Sequence, residues 1–192
     1  MDADALLDIR PDVLGHVNGG PTSLSDKGAE SLVVDGGSMA LQLVQAGNLR
    51  SAIHIGEVAL AHGCPERLLI ASDTPTGTGV IPLALLRSMA ELVSLGPFSP
   101  ELAVAAATGS VAAVYGLSAG ILAVGRPADL VLVDAPQGSQ ADDWRGALRR
   151  GDLPAVAAVV TQGQVRFTRS RNTPPPKSAV ALTHGTPHPL PS

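Results

Sequence analysis

The sequence has few cysteines, aromatic residues and basic residues, and each shortage excludes a class of protein. Its single cysteine, Cys64, rules out an internal disulfide framework and any cysteine-rich zinc module. Aromatic residues make up only 2% of the 192 residues, so the core must be built from Leu, Val, Ile and Ala. The chain has 13 basic and 17 acidic side chains, which argues against the basic stripe of a nucleic-acid surface. We therefore expect no nucleic-acid partner.

Long apolar runs are also missing. No stretch of about 18 consecutive apolar residues occurs, so we predict no membrane span and no membrane partner. The opening segment, MDADALLDIRP, is acidic and lacks the basic and apolar regions of a signal peptide. These two features predict a cytoplasmic protein. Hydrophobic residues still make up 45% of the chain, which is enough for a folded globular domain.

Short apolar runs alternate with helical patterns over the first 116 residues. Strands are predicted for residues 13–18 and 67–72, whereas residues 39–45 fit either a strand or a helical turn. Helices are predicted over residues 49–62, with Asn48 as the N-cap, over residues 82–95, and over residues 99–116, with a start at Ser99 and a stop at Gly116. Such alternation is typical of an α/β fold, in which parallel strands are joined by right-handed helical crossovers.

The remainder of the sequence has a different texture. Residues 129–134 read as a strand, and Gln162-Gly163 is a hairpin turn between two further strands. From Asn172 onward the chain contains six of its 16 prolines, which disfavour both helix and strand pairing. We therefore predict an α/β region over residues 1–119, a β segment over 120–171 and a disordered, proline-rich tail over 172–192.

Two side chains stand at the ends of predicted strands, where parallel α/β folds carry their active sites. They are His16, in LGHVNGGPT, and Asp73, in IASDTPTGTG. An imidazole and a carboxylate are common ligands of a catalytic divalent metal, and a carboxylate beside metal-bound water can act as a general base. Taken singly, each has a plainer explanation, because a lone histidine is more often a hydrogen-bonding residue and an aspartate often forms a turn.

The glycine-rich loop after Asp73 resembles a phosphate cradle but lacks the lysine that would follow in a P-loop. A flexible loop is its plainer interpretation. The single thiol, Cys64, has no basic surroundings in the sequence and is predicted to be unreactive.

Five stretches taken together closely resemble the C-terminal half of the metal-dependent amidohydrolases. They are RPDVLGHVNGGPT, LVQAGN, RLLIASDTPTGTGVIPL, AAATGSVAAVYGL and AGILAVGRPADLVLVD. Three motifs, HVNGGP, SDTPTGTG and SRNTPPP, are more specific and resemble the enamidases, which hydrolyse the cyclic amide 6-oxo-tetrahydronicotinate. The similarity extends from about Arg10 to Pro176.

The resemblance implies a fold and a set of residue roles. The fold is the C-terminal part of a TIM-like (β/α)₈ barrel, about strands 6–8, followed by part of a small β-sandwich. His16 would ligate one divalent metal at the end of the sixth strand. Asp73 would end the eighth strand, ligate the other metal and move a proton from the metal-activated water to the leaving nitrogen. Zinc or iron would suit these ligands. The residues implied to bind substrate are Thr74, Thr76, Gly77 and Thr78.

The sequence departs from this family in its length and ligand set. A whole barrel takes roughly 250 residues, and the chain contains no His-x-His pair for the first metal. We therefore expect the C-terminal half of a hydrolase that acts on C–N bonds in cyclic amides, encoded by a split or shortened gene. A complementing N-terminal half would be its partner, and the complete enzyme would form a homo-oligomer. The alternatives are a non-catalytic remnant and an unrelated small α/β binding module.

Overall fold

The computed structural model describes residues 2–19, 24–75, 79–181 and 183. The first half comprises α1 (Ala3–Ile9), β1 (Val13–Leu14), α2 (Asp26–Asp35), β2 (Ala40–Val44), α3 (Leu49–Ala61), a 3₁₀ turn (Pro65–Arg67) and β3 (Leu68–Ala71). Next come α4 (Ala84–Ser94), α5 (Pro100–Ala107), α6 (Gly109–Tyr115), β4 (Leu130–Asp134), α7 (Trp144–Arg149), β5 (Ala155–Thr161) and β6 (Gln164–Phe167). Within the described ranges, no helix is long and apolar enough to span a membrane.

The first sheet is parallel, with the order β1-β2-β3, and helices α2 and α3 form its crossovers. In the middle strand, Leu41 and Leu43 are fully buried in the main core, whereas Gln42 between them is only partly buried. This alternation places the leucines against the helices because successive side chains of a strand point to opposite faces. The prediction of parallel strands with helical crossovers is confirmed, and residues 39–45 resolve as a strand.

Local capping signals set several helix boundaries as predicted. The side chain of Asn48 accepts a hydrogen bond from Ser51 N at 3.1 Å and starts α3. Ser99 likewise caps α5 by accepting from Leu102 N at 3.0 Å. At the other end of this helical pair, Gly116 adopts a left-handed φ of 64° and terminates α6.

Other elements differ from the predictions. Helices α1, α2 and α7 were not predicted, and the strand expected over residues 13–18 ends at Leu14. The helix expected over residues 99–116 is two helices, because Thr108 leaves the helical region with φ −134° and ψ −80°. Its hydroxyl donates to Val104 O, four residues earlier, and this kind of back-bonding is associated with helix bends.

Arg67 holds α2 against the parallel sheet. Its side chain is 8% exposed and donates to Leu32 O and Val33 O at the end of α2 and to Met39 O before β2. The buried guanidinium therefore satisfies three carbonyl groups, two of which are the unpaired carbonyls left by a helix C-terminus. The positive charge also lies at the C-terminal end of α2, where the helix dipole is negative and favours a cation.

Replacing Arg67 by Met should lower the free energy of unfolding by roughly 2–4 kcal/mol, because three buried carbonyl groups lose a hydrogen-bond donor. Chemical denaturation measures this loss. The matched control is Arg87→Met on the exposed side of α4, where we expect a change within about 0.5 kcal/mol. Equal losses in the two variants would contradict this role of Arg67.

The second sheet is antiparallel, with the order β4-β5-β6, and helices α4, α5 and α6 lie between the two sheets along the chain. The predicted hairpin is confirmed: Gln162 and Gly163 adopt φ of 51° and 74°, the positive pair of a type I′ turn. Helix α7 packs on α4, and its Leu148 is completely buried in the main core beside the parallel sheet. Helix α7 therefore contributes to the main core of the first region, whereas Ala135, Ala141 and Ala147 form a separate small cluster.

The beginning of the predicted tail is bonded to the second sheet. Gln137 N donates to Pro175 O at 2.8 Å, and Lys177 N donates to Ala135 O at 2.9 Å. The hydroxyl of Thr173, a residue 7% exposed, accepts a hydrogen bond from Val156 N. The segment predicted to be disordered from residue 172 thus starts with ordered contacts. The predicted disorder of residues 184–192 lies outside the described residues.

Asp134 anchors this segment through its carboxylate. Its two oxygens accept from Ala135 N at 2.7 Å and from Ser178 N at 2.8 Å. Partial burial acts to raise the pKa of Asp134, but the N–H donors of Ser178 and Ala135 and the charge of Lys177 outweigh it and hold this pKa below its ordinary value.

The lowered pKa of Asp134 gives the anchor a pH dependence. A carboxylate with a depressed folded-state pKa stabilises above the unfolded value, about 3.9, and the contribution is lost as pH falls through the folded value. We expect the amide signal of Ser178 to stay fixed on acidification to about pH 4 and to shift below it, as followed by NMR. Asp134→Asn should abolish this shift, and a Ser178 signal that moves above pH 4 in the unmodified chain would contradict it.

Candidate functional site

The two predicted site residues meet at the carboxyl edge of the parallel sheet. His16 follows β1 and Asp73 follows β3, and the imidazole Nε2 lies 3.4 Å from the carboxylate Oδ2. Their side chains are 37% and 48% exposed, so both reach solvent. The edge therefore presents a nitrogen and an oxygen donor side by side, within reach of a small solute.

Both residues have left-handed backbone conformations, with φ of 55° at His16 and 50° at Asp73. Residues with a Cβ rarely adopt this region, and each costs of order 1–3 kcal/mol. The turn at His16 is closed by a hydrogen bond from Gly19 N to His16 O at 3.0 Å. Such conformations concentrate at functional sites, because the surrounding structure must enforce them.

Thr74 braces the loop that follows Asp73. Its hydroxyl accepts from Ile81 N at 3.2 Å and donates to Gly79 O at 3.5 Å, so the loop returns towards its own start. Thr74 is exposed beside Asp73 and can therefore reach a bound molecule. The other predicted substrate-binding residues, Thr76, Gly77 and Thr78, lie outside the described residues.

A buried polar residue that the sequence analysis missed lies two residues after His16. Asn18 is 2% exposed, and its carboxamide oxygen accepts from Val44 N at 2.9 Å. The carboxamide nitrogen donates to Val44 O at 3.0 Å and to Asn48 O at 3.3 Å. No pattern in the sequence indicated these contacts, because the partners lie 26 and 30 residues away.

A second missed group connects the end of β2 to α4. Gln45 accepts a hydrogen bond from the Ser88 hydroxyl at 2.8 Å and donates to the Glu91 carboxylate at 3.1 Å. The same residue donates its backbone N–H to Ala71 O at 3.3 Å, at the end of β3. Asn18 thus connects the turn after β1 to the end of β2, and Gln45 connects the end of β2 to the end of β3.

The donor set decides how far these residues fit a metal ion. Nitrogen and carboxylate oxygen suit zinc or iron, and the 3.4 Å separation lets both atoms face one ion. Across the described ranges, however, no group of three or more His, Cys, Asp or Glu side chains could hold a metal. A catalytic zinc site normally takes three protein ligands, so His16 and Asp73 fit part of such a site.

The remaining histidine and thiol candidates pair locally on the helical side. His54 Nε2 lies 3.3 Å from Glu30 Oε1 across α2 and α3, and His62 Nδ1 lies 2.9 Å from Val58 O. Cys64 is half-buried, with its sulfur 3.8 Å from Arg67. These contacts do not join the site at the strand ends.

Comparison with known proteins extends this picture. The chain is 41% identical over 182 residues to enamidase from Eubacterium barkeri, covering 95% of this chain and 47% of the relative. It superposes on a crystal structure of enamidase, described as a member of the amidohydrolase superfamily, with a TM-score of 0.89. That match covers 93% of this chain and 46% of the enamidase chain. The chain thus spans about half the length of these relatives.

A more distant likeness concerns the fold alone. The β-aspartyl dipeptidase of Fervidobacterium islandicum AW-1, solved with a β-Asp-Leu dipeptide, is 17% identical with a TM-score of 0.53. The match covers 82% of this chain and 39% of the dipeptidase.

The family model described as "Amidohydrolase family" matches residues 30–168, which include Asp73 and both sheets except for β1. The predicted resemblance is therefore confirmed, with enamidase as a relative along nearly the whole chain. This chain belongs to the amidohydrolase family.

Proposed function

We propose that this chain supplies the proton-transfer carboxylate and one metal-binding histidine of an enamidase-like enzyme that hydrolyses a C–N bond in a cyclic amide. The observation that carries the proposal is the pair formed by His16 and Asp73, 3.4 Å apart at the carboxyl edge of the parallel sheet. The similarity to enamidase supports the choice of a cyclic amide as substrate.

The fold assignment within this proposal follows chain order. Strands β1, β2 and β3 would be the sixth, seventh and eighth strands of a (β/α)₈ barrel, and the antiparallel sheet would be part of a β-sandwich. We assign residues 1–119 to the barrel part and residues 120–171 to the sandwich part. The residues after 171, as far as Ser178, are hydrogen-bonded to the sandwich part. The parallel order β1-β2-β3 and the helices α2 and α3 between successive strands support this assignment.

Each residue has a distinct chemical task in the proposed reaction. A bound divalent zinc or iron ion would supply Lewis-acid polarisation of the amide carbonyl and a lowered pKa for the attacking water. His16 would hold and orient the ion through a nitrogen of its neutral imidazole ring. Asp73 would accept the proton of the attacking water and deliver it to the departing ring nitrogen, since its carboxylate is exposed to substrate.

Thr74 would contribute on the substrate side, with Thr76, Gly77 and Thr78 completing the proposed binding loop. The braced hydroxyl of Thr74 keeps the residue next to Asp73, so a substrate hydrogen bond there would fix the scissile bond against the carboxylate.

We further propose that a complementing polypeptide, equivalent to the part of enamidase that this chain does not match, completes the site. An uncovered apolar run supports this: Val124 is 99% exposed and Leu122 is 70% exposed. Other large apolar side chains exposed nearby in the sequence are Val114, Tyr115, Leu117 and Ile121. Monomeric proteins rarely leave such patches bare.

A non-catalytic remnant is the second candidate, because the described residues offer two metal-binding groups at the site and not three. The third interpretation, an unrelated α/β binding module, does not hold for a chain that belongs to the amidohydrolase family.

The isolated chain should hold less than one tightly bound metal per molecule and should not hydrolyse cyclic amides. Two ligands from the protein leave most of the coordination shell to water, so the ion exchanges freely. Elemental analysis after desalting measures the metal content. Two retained metals per chain would contradict the ligand count.

In an enzyme restored with the complementing polypeptide, Asp73→Asn should lower kcat by about 10²–10⁴ while most metal stays bound, because an amide cannot move the proton. His16→Ala should lower metal content and kcat together, because its task is ligation. Steady-state kinetics with metal analysis separates the two variants. Retention of more than about a tenth of kcat by Asp73→Asn would show that Asp73 only shapes the turn.

A further inference from the structure

Asn18 has hydrogen-bonding partners on two elements that flank the site. Its carboxamide bonds to both the N–H and the C=O of Val44, the last residue of β2, in the manner of an added strand residue. The same nitrogen reaches Asn48 O at the start of α3, and Asn48 N returns a hydrogen bond to Asn18 O at 2.7 Å. The side chain is buried, and each of its hydrogen-bonding atoms has a partner.

These bonds connect the two site residues by a short structural path. His16 lies two residues before Asn18, and Asn18 is bonded to Val44. Val44 is paired in register with Ala71, which lies two residues before Asp73. The turn that carries His16 and the strand that precedes Asp73 are therefore both bonded to the same residue of β2, Val44.

The loop after β2 is shaped to receive the same carboxamide. A Cβ added to Gly47 would lie 2.6 Å from Asn18 Cγ and 2.8 Å from its Oδ1. The backbone of Gly47 does not adopt a left-handed φ, so the close approach of Asn18 is the feature that excludes a side chain. Asn18 and Gly47 form a matched pair from segments 29 positions apart in the sequence.

We propose that Asn18 is a positioning residue that holds His16 against Asp73, and that Gly47 is the space this carboxamide requires. The proposal deepens the proposed function, on which it rests for the roles of His16 and Asp73. Asn18 touches neither metal nor substrate. It acts through the β1 turn, and such outer partners of a ligand are typically worth about 10–100-fold in metal affinity.

The test uses the full chain, labelled for NMR, with Co²⁺ as the probe. The first readout is the nuclear Overhauser effect between the His16 ring protons and the Asp73 Cβ protons, which reports their separation without a metal. The second is the Co²⁺ concentration at which the amide signals of both residues shift. Asn18→Leu, of similar shape but without polar atoms, should lose the Overhauser effect and bind Co²⁺ about 10–100-fold more weakly.

Gly47→Ala should reproduce both losses although Asn18 is unchanged, because the new methyl group displaces the carboxamide. Asn18→Asp keeps the acceptor for Val44 N but opposes two carbonyl oxygens, so it should give an intermediate loss. The control is Leu148→Ala, which opens the same core far along the chain and should keep the Overhauser effect. A structural role alone would weaken all four variants alike.

The outcomes separate the two proposals. If Asn18→Leu and Gly47→Ala keep the wild-type Overhauser effect, the positioning role of Asn18 is overturned. If the unmodified chain and Leu148→Ala show the Overhauser effect and both Asn18→Leu and Gly47→Ala lose it, the positioning role stands whatever Co²⁺ does. Co²⁺ that shifts neither His16 nor Asp73 in the unmodified chain overturns the metal site of the proposed function instead.

Discussion

Strand β2 is paired on both sides, and this pairing is the constraint on which the rest of the α/β region depends. Its register with β3 runs from Leu41 opposite Leu68 to Val44 opposite Ala71, and β1 pairs with its first two residues. Parallel pairing fixes all three carboxyl ends at one edge. A shift of one residue would exchange the two faces of the strand and move Leu41 and Leu43 out of the core.

The helical face and the carboxyl edge of this sheet are stabilised by different interactions. On the helical side, apolar burial dominates, and Arg67, which is charged and buried, donates its hydrogen bonds to backbone carbonyls. At the carboxyl edge, the side-chain amide of Asn18 bonds to the backbone groups of Val44 and Asn48. The side-chain amide of Gln45 instead bonds to the Ser88 and Glu91 side chains of α4, so polar contacts of two kinds hold the edge at which His16 and Asp73 lie.

Sequence reasoning succeeded where the cause of a structure is local. Asn48, Ser99 and Gly163 act on groups within a few residues, and their positions were read from the sequence. The approach of His16 to Asp73 was also accessible, because parallel topology alone brings strand ends together. Helix α2 was not predicted, because its first turns, DKGAE, carry charge and a glycine, and it is held by Arg67 from 34 and 35 residues away in sequence. The hydrogen bonds of the Asn18 carboxamide could not be predicted either, because its partners come close only when β2 has formed.

Helix α7 changes what the boundary near residue 119 means. Leu148 is fully buried in a core otherwise built by the first half of the chain, and Trp144 and Leu153 pack against that core. Cutting the polypeptide at the change of sequence texture would leave a hole in the first region and a bare apolar helix on the second. The chain therefore contains two sheets of different topology, but residues beyond the first sheet complete the core of the first region. A polypeptide that ended near residue 119 would lose part of its own core, so the shortest piece that keeps all of these core contacts extends through Leu153.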